Sequence, residues 1–279
     1  MIHLLRQLTS INIFRESSPR HFAHTAASAQ ITSPEFALQV DLILHFIDDG
    51  YKCSAYLSEA LDQYADQFDK VEKKDLRTAF NLAFKTDMHY FDYIYLPENI
   101  PRFGERFGRA MMGGARPEII AHTLSLYDWS QFKPGDQIID VGGGVGHIGA
   151  AIAKKVKPGV KVIVQDRPSV VEQGRKIYGD VIELQPHDFF QKEPISGAAV
   201  YYLRLILHDW PDTVCKTILG NIVPVMGPNS KILIFDLVWR SDDYWVSGQS
   251  EDSIVHGYDH GRRVMSIRNL HMLNKLGMP

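Results

Sequence analysis

The residues best suited to chemistry lie in the middle of the chain, where a predicted strand ends at Asp140 and a glycine-rich segment, 142–146, follows. Glycine lets a backbone approach a ligand closely, so Gly142 and Gly144 are expected to border one. Residues 144–149 also match the GxGxxG pattern of dinucleotide-binding proteins. A carboxylate at Asp140 would repel a pyrophosphate, however. A ligand with an ammonium and a sulfonium group, such as S-adenosylmethionine, suits this acid better.

Two further acids follow predicted strands where an adenosyl ligand would use them. Asp166 ends the second strand, at the position that hydrogen-bonds ribose hydroxyls in nucleotide-binding sheets. Asp188 follows the third strand, and its carboxylate can accept a hydrogen bond from an adenine amino group while Phe189 packs on the ring. Each acid alone is more typical of a helix cap or a loop turn. Together with the glycine segment they predict a cofactor site.

A histidine follows the fourth predicted strand, at the same edge of the sheet. Methylation of a phenol needs an oxygen nucleophile, and a phenol with a pKa of about 10 is mostly protonated at neutral pH. His208, with an ordinary pKa of about 6.5, is suited to act as the general base. Asp236, at the end of the fifth strand, is predicted to hold the other ring nitrogen. The alternatives are a core histidine and an ordinary strand-end acid.

The elements that must position these residues divide the chain into two regions. Residues 1–130 are predicted to be mostly helical. Helical spacing covers 2–14, a turn follows at 15–20, and 21–25 can return as a strand. This order is typical of a partial winged helix, and a generic helix with a turn remains an alternative. Further amphipathic helices are predicted at 34–62 and 73–89.

Residues 131–279 alternate short β-rich runs with helical runs, which predicts an α/β fold with a Rossmann-like parallel sheet wrapped by helices. Asp212 is expected to cap a helix that runs to about residue 226. The predicted strands are 136–141, 160–165, 181–184, 199–205 and 231–237.

Composition excludes several classes of function. The net charge of −3 gives no sign of a nucleic-acid partner, and no apolar run approaches the roughly 18 residues that span a membrane. The two cysteines, Cys53 and Cys215, lack CxxC spacing, so a cytoplasmic, soluble protein is expected. His256 and His260 lie four apart, but no HExxH motif accompanies them, and no metal is expected.

With these motifs in view, the sequence resembles the plant- and fungal-type small-molecule O-methyltransferases, the caffeic acid and flavonoid methyltransferase family. The resemblance is carried by the segments 139–146, 165–168, 187–190 and 207–212 and extends into the first 27 residues. It implies S-adenosylmethionine as the cofactor, a small hydroxylated aromatic acceptor, and a winged-helix-like region that pairs two chains in a possible homodimer.

The resemblance also assigns roles to residues that the patterns alone leave open. It places Asp166 on the ribose, Asp188 and Phe189 on the adenine, and His208 as the base. It further implies cofactor contacts for two arginines, Arg167 and Arg204, and an aromatic acceptor pocket lined by Phe107 and Met111.

Two departures from the family pattern leave other interpretations open. The chain begins inside the expected winged helix, and it stops at Pro279, just where the family supplies a second acid against the histidine, so the last strands of the sheet are expected to be missing. A truncated relative that binds the cofactor without turnover is therefore an alternative. An NAD-dependent oxidoreductase is a second alternative, which Asp140 and Asp188 disfavour.

Overall fold

The computed structural model describes residues 1–64, 76–236, 272–273 and 275–276. Their helices are α1 (Ile2–Ser10), α2 (Ala26–Ile31), α3 (Ala37–Leu44), α4 (Lys52–Ser54), α5 (Leu57–Tyr64), α6 (Ala79–Phe84), α7 (Tyr90–Ile94), α8 (Glu105–Gly114), α9 (Pro117–Ser125), α10 (His147–Ala153), α11 (Pro168–Tyr178) and α12 (Asp212–Ile222). Their strands are β1 (Phe14–Ser18), β2 (His21–His24), β3 (Gln137–Val141), β4 (Lys161–Asp166), β5 (Glu183–Pro186), β6 (Val200–Arg204) and β7 (Lys231–Phe235).

The chain opens with a helix followed by an antiparallel hairpin, as its first 25 residues predict. Helix α1 ends earlier than expected, at Ser10, and the segment predicted as a turn forms strand β1 up to Ser18. The tight turn is confined to Pro19 and Arg20, and Arg20 has a φ of 66°. Arg6 on α1 pairs with Glu16 on β1 at 2.9 Å and joins the helix to the hairpin.

The long helix predicted over 34–62 is divided into shorter pieces. A single 3-10 turn at Pro34–Phe36 leads into α3, which continues through a π-helical stretch at His45–Tyr51 into α4. Helix α8 packs closely against α3, because Gly113 lies against the backbone of Leu38 and leaves no room for a Cβ there. Of the helix predicted over 73–89, residues 73–75 lie outside the described residues, and Thr78 caps only the short α6.

The five predicted strands of the second region form one parallel sheet in the order β5-β4-β3-β6-β7. Each starts and ends within about two residues of its predicted bounds, and Leu237 lies outside the described residues. Asp212 is the first residue of α12, and Pro211 is the cap, so the predicted side-chain cap is wrong. At that position the carboxylate faces the positive end of the helix dipole instead.

Apolar side chains cover both faces of the sheet. One cluster includes Ile138, Val164 and Val200, and the opposite cluster includes Ile139 and Leu203. Neighbouring residues such as Ile138 and Ile139 belong to opposite clusters because successive side chains of a strand point to opposite faces of the sheet. The third cluster lies in the helical region. Among the described residues, no helix is both long and apolar enough to cross a membrane.

Candidate active site

A cavity of about 390 Å³ lies between the carboxyl ends of the strands and the helical region. The order of the sheet reverses between β3 and β6, and open α/β sheets bind their ligands at such a point. Every site residue predicted from the sequence lines this cavity except Asp236, which lies behind His208. The structure therefore brings the predicted cofactor, acceptor and catalytic residues to one place.

The glycine segment forms the turn between β3 and α10. Gly142 has a φ of 68°, and a Cβ there would lie 2.6 Å from the side chain of Ile206. Gly144 has a φ of 62°, but a Cβ there would meet no atom within 4 Å. Both backbone conformations favour glycine, and the open space beside Gly144 faces the cavity. The turn is thus shaped to let a ligand approach the backbone.

Asp140 lies beneath this turn and does not form an exposed acidic rim. It is 1% exposed, and its Oδ2 atom has no hydrogen-bond partner among the described residues. Burial raises its pKa to about 7, although the nearby charge of Arg204 acts in the opposite direction. A buried carboxylate oxygen without a partner is costly, and a cationic group in the cavity would satisfy it. The arrangement fits a ligand with an ammonium or a sulfonium group.

Asp166 holds the glycine turn in place. Its Oδ2 accepts a hydrogen bond from the backbone N–H of Gly144 at 2.9 Å, and its Oδ1 accepts one from that of Arg167 at 2.7 Å. Burial raises the pKa of Asp166. The Arg167 side chain extends to the helical region, where it pairs with Asp92 at 2.8 Å and lies over the Tyr95 ring. Arg167 therefore joins the sheet edge to α7.

The predicted adenine contacts lie beside the same turn. Asp188 is exposed, and its Oδ1 accepts a hydrogen bond from the backbone N–H of Phe190 at 3.0 Å. The Phe189 ring lies 3.4 Å from where a Cβ on Gly142 would be. An aromatic face next to a glycine turn and an exposed carboxylate make a suitable surface for a flat ring that carries an amino group.

His208 lies between two carboxylates. Its Nδ1 is 2.7 Å from Asp236 Oδ1, and its Nε2 is 3.3 Å from Asp209 Oδ1. The backbone N–H of His208 also donates to Asp236 Oδ2 at 3.2 Å. Asp236 follows β7, which pairs with β6 in parallel, so neighbouring strand ends bring the two residues together. The structure thus brings together the two residues that the sequence analysis pairs, and their roles as base and orienting acid stay a prediction.

Asp209 gives the histidine a second acid that the sequence interpretation did not include. Burial lowers the pKa of His208, but the hydrogen bonds and charges of Asp209 and Asp236 outweigh it and raise the pKa to about 9. The imidazole in this environment is therefore protonated at neutral pH. A positive charge bound nearby would lower this pKa again.

Aromatic rings enclose the rest of the cavity. Phe107 and Met111 on α8 line it, as the resemblance implies. Phe91 contacts the Phe107 ring at 5.5 Å and the Trp210 ring at 5.8 Å between centroids. Trp210 stacks on His89 at 4.9 Å. The result is an apolar pocket beside His208 that suits a flat aromatic molecule.

His147 is a cavity residue that the sequence patterns do not single out. It begins α10, and both of its ring nitrogens are buried without a partner among the described residues. Burial, and secondarily the charge of Arg204, lowers its pKa to about 4. The Arg204 guanidinium lies over the Phe235 ring, and its Nε also has no partner in the described part of the chain. Its position directly after the glycine segment is the sequence feature that could have identified His147 as a site residue.

No group of three or more metal-binding side chains occurs among the described residues. His256 and His260, the pair considered in the sequence, lie outside them.

The chain is similar to known proteins in both sequence and structure. The family model described as "O-methyltransferase domain" matches residues 64–255. The O-methyltransferase xanE of Aspergillus fumigatus is 39% identical over 241 residues, which cover 84% of this chain and 53% of that protein. The O-methyltransferase agiB of Aspergillus flavus is 36% identical, with 84% of this chain and 78% of that protein covered. The chain thus spans about half the length of xanE.

Solved structures show the same fold. The complex of LepI with SAM has a TM-score of 0.72 and 26% identity, and the similarity covers 99% of this chain and 66% of that one. A structure titled "A Pericyclic Reaction enzyme" gives the same values. LaPhzM has a TM-score of 0.73 and 27% identity, covering 99% of this chain and 73% of that one.

Proposed function

The chain belongs to the O-methyltransferase family, and from this premise we propose that it transfers a methyl group from S-adenosylmethionine to a hydroxyl group of a small phenolic metabolite. The single observation that carries the proposal is the continuity of the cavity. One space of about 390 Å³ reaches from the glycine turn and its acids to His208 and the aromatic pocket. A methyl donor and an acceptor can therefore meet beside the histidine.

The cofactor end fits S-adenosylmethionine by the chemistry of its residues. Asp140 offers a buried oxygen without a partner toward a cationic group, and Gly144 leaves open space for a ligand against the backbone. Asp166, Asp188 and Phe189 are proposed to bind the adenosyl part, with Arg204 and Arg167 beside it. When bound, S-adenosylmethionine supplies a methyl group on a positively charged sulfur.

His208 is proposed to act as the general base. With Nδ1–H donated to Asp236, the neutral ring keeps Nε2 as the atom that accepts a proton. That atom takes the proton that the acceptor hydroxyl loses when its oxygen is methylated. Because Asp209 and Asp236 raise the pKa of His208 to about 9, a cationic cofactor would favour the base form by lowering this pKa. Asp209, which is 3.3 Å from Nε2, must release that nitrogen to the acceptor.

We also propose that residues 1–130 form a separate dimerisation and acceptor-binding region, and that residues 131–279 form the cofactor-binding domain. Phe107 and Met111 on α8 would then supply acceptor contacts from the first region. A homodimer that acts on a small aromatic hydroxyl compound in secondary metabolism, in the cytoplasm, completes the proposal. The names of the relatives xanE and agiB support the reaction class.

The first experiment is calorimetric titration with S-adenosylhomocysteine, with NAD as the control ligand. We expect micromolar binding of the first and none of the second. Transfer of a labelled methyl group from S-adenosylmethionine to catechol and related phenols then tests the reaction. Binding without transfer to any phenol would contradict the proposed activity and favour a relative that uses the cofactor otherwise.

A further inference from the structure

A buried group of charged side chains lies at the helical end of the cavity, away from the glycine turn. Arg106 donates to Asp49 at 2.5 Å and to Asp48 at 2.8 Å. Lys275 Nζ lies 3.8 Å from Asp49 Oδ2 and donates to the backbone carbonyl of His45 at 3.4 Å. Lys275 is only 3% exposed, yet it lines the cavity together with His45. We call Asp48, Asp49, Arg106 and Lys275 the ion cluster.

Lys275 is the more weakly held of the two cations in the ion cluster. Its Nζ lies 3.8 Å from Asp49 Oδ2, whereas Arg106 donates to the same carboxylate at 2.5 Å. Arg102 pairs with Asp48 at 3.3 Å on the more exposed side of the cluster. His45 adds no charge at neutral pH, because burial lowers its pKa to about 4. Burial also lowers the pKa of Lys275, to about 8, which still leaves its ammonium mostly protonated at pH 7. An anionic group in the cavity would give this buried ammonium a closer partner than Asp49.

A hydrogen-bond donor lies next to the Lys275 ammonium. Lys275 Nζ is 4.8 Å from the centre of the Tyr90 ring, and Tyr90 lines the cavity. The Tyr90 hydroxyl is buried and has no hydrogen-bond partner among the described residues. Burial raises the pKa of this hydroxyl, so it stays neutral and can donate. A buried donor without an acceptor is uncommon in folded proteins and indicates a partner that the chain itself does not supply.

Aromatic contacts connect this end of the cavity with the histidine. Trp210, two residues after His208, contacts Phe91, and Phe91 contacts Phe107. Phe107 then contacts the Tyr90 ring at 6.4 Å. A flat molecule held along these rings has one edge toward His208 and another toward Tyr90 and Lys275.

We propose that the acceptor carries, besides the hydroxyl that is methylated, an anionic oxygen group that binds Lys275 and the Tyr90 hydroxyl. The group is a carboxylate. This inference rests on the proposed function, since it names the acceptor class of the same cavity. It assigns Lys275 and Tyr90 to acceptor specificity and leaves the transfer step to His208.

Binding of two matched probes tests the proposal. The probes are 3,4-dihydroxybenzoate and its neutral amide, titrated at pH 7 by calorimetry into the chain saturated with S-adenosylhomocysteine. We expect the acid to bind roughly tenfold more tightly than the amide, the factor typical of one charge-assisted hydrogen bond. Lys275→Met should abolish this preference, and Lys275→Arg should restore part of it.

Tyr90→Phe provides a second, milder test. It removes only the hydroxyl and should weaken binding of both probes several-fold, because each offers an oxygen acceptor. Tyr127→Phe is the matched control, since the Tyr127 hydroxyl is also buried without a partner in the described chain but does not line the cavity. Thermal unfolding of each variant separates lost binding from lost structure.

Equal affinity of the wild-type chain for the acid and the amide would overturn the proposal, as would a preference that survives in Lys275→Met. Methyl transfer to catechol measured in parallel keeps the two ideas distinct. Transfer without a charge preference would refute the acceptor class and leave the proposed function intact. A preference for the acid probe in binding without any methyl transfer would support the acceptor class and contradict the proposed function.

Discussion

At the sheet end of the cavity, the groups that face a ligand come from turns directly after strands, whereas at the helical end they come from segments far apart in the chain. Asp140, Asp166 and His208 each lie within four residues of the end of a strand in one sheet. Lys275 and its partner His45 are separated by 230 residues. The first end is fixed by backbone hydrogen bonds and strand register, and the second by side-chain charges and ring contacts. The cofactor site is therefore expected to tolerate changes in the helical region, and the acceptor site to be sensitive to them.

The largest effect is expected from His208→Ala, which removes the base where the two ends meet. Turnover should fall by about 10²- to 10⁴-fold, the usual contribution of a general base. The affinity for S-adenosylhomocysteine should stay unchanged, because the glycine turn is held by other residues. Steady-state kinetics with calorimetry on the same samples measures both. The exposed His122→Ala is the control, and turnover within a few-fold of wild type in His208→Ala would show that another group takes the proton.

Arg106→Met tests how much the ion cluster stabilises the helical end of the cavity. It leaves the buried Asp49 with Lys275 and the uncharged His45 as neighbours, and breaking a buried ion pair costs about 3 kcal/mol of unfolding free energy. Arg109→Met on the same helix breaks the more exposed pair with Asp41 and should cost less than about 1 kcal/mol. Urea unfolding gives both values. Equal losses in the two variants would mean that the ion cluster does not hold the helical end together.

Asp166→Ala should damage the sheet end alone. The variant loses the acceptor for the Gly144 N–H as well as the proposed ribose contact, so the dissociation constant for S-adenosylhomocysteine should rise roughly tenfold or more. Glu183→Ala, at the exposed start of the neighbouring strand β5, should leave it unchanged. Calorimetric titration with S-adenosylhomocysteine measures the dissociation constant of each variant. Unaltered affinity in Asp166→Ala would remove this residue from the site.

The smallest effect is a shift in pH dependence. The base form of His208 appears as the pH rises through its pKa, so kcat/KM for S-adenosylmethionine, which reports the free enzyme, should rise with pH with a midpoint near 9 in the wild-type chain. Asp209→Asn removes one of the two carboxylates that raise this pKa, so the rise should occur at lower pH. Asp212→Asn, at the start of α12, is the control. A profile of Asp209→Asn that overlays the wild type would show that Asp209 does not control the protonation of His208.

Much of the sheet end can be predicted from the sequence because its information is local. A strand, a glycine turn and a helix occupy neighbouring residues, and parallel pairing brings the strand ends together. The Asp140–Gly144 turn and the proximity of His208 to Asp236 follow from this alone. What the sequence does not show is that Asp140 is buried beneath its turn, since its depth depends on how Gly143 packs on it.

The helical end is harder to predict because none of its residues stands out by its type or by its neighbours in the sequence. Nothing in the sequence around Lys275 or Tyr90 distinguishes them from an exposed lysine and a core tyrosine. Their roles depend on their burial and on the partners that α8 and the π-helical stretch supply. The raised pKa of His208 cannot be predicted from the sequence for the same reason. It is the 3-10 turn at Leu207–Asp209 that brings the Asp209 carboxylate to Nε2 of His208.

The position of β7 links catalysis to the folding of the sheet. In the described chain β7 pairs only with β6, and it is β7 that brings Asp236 to His208. The side chains of β7 are also more exposed than those of the central strand β3, and less buried elements open at lower free energy. Mild denaturant is therefore expected to detach the orienting acid while β3 and β4 still bind the cofactor. Enzymatic activity would then report the assembly of this strand and vanish before the bulk of the protein unfolds.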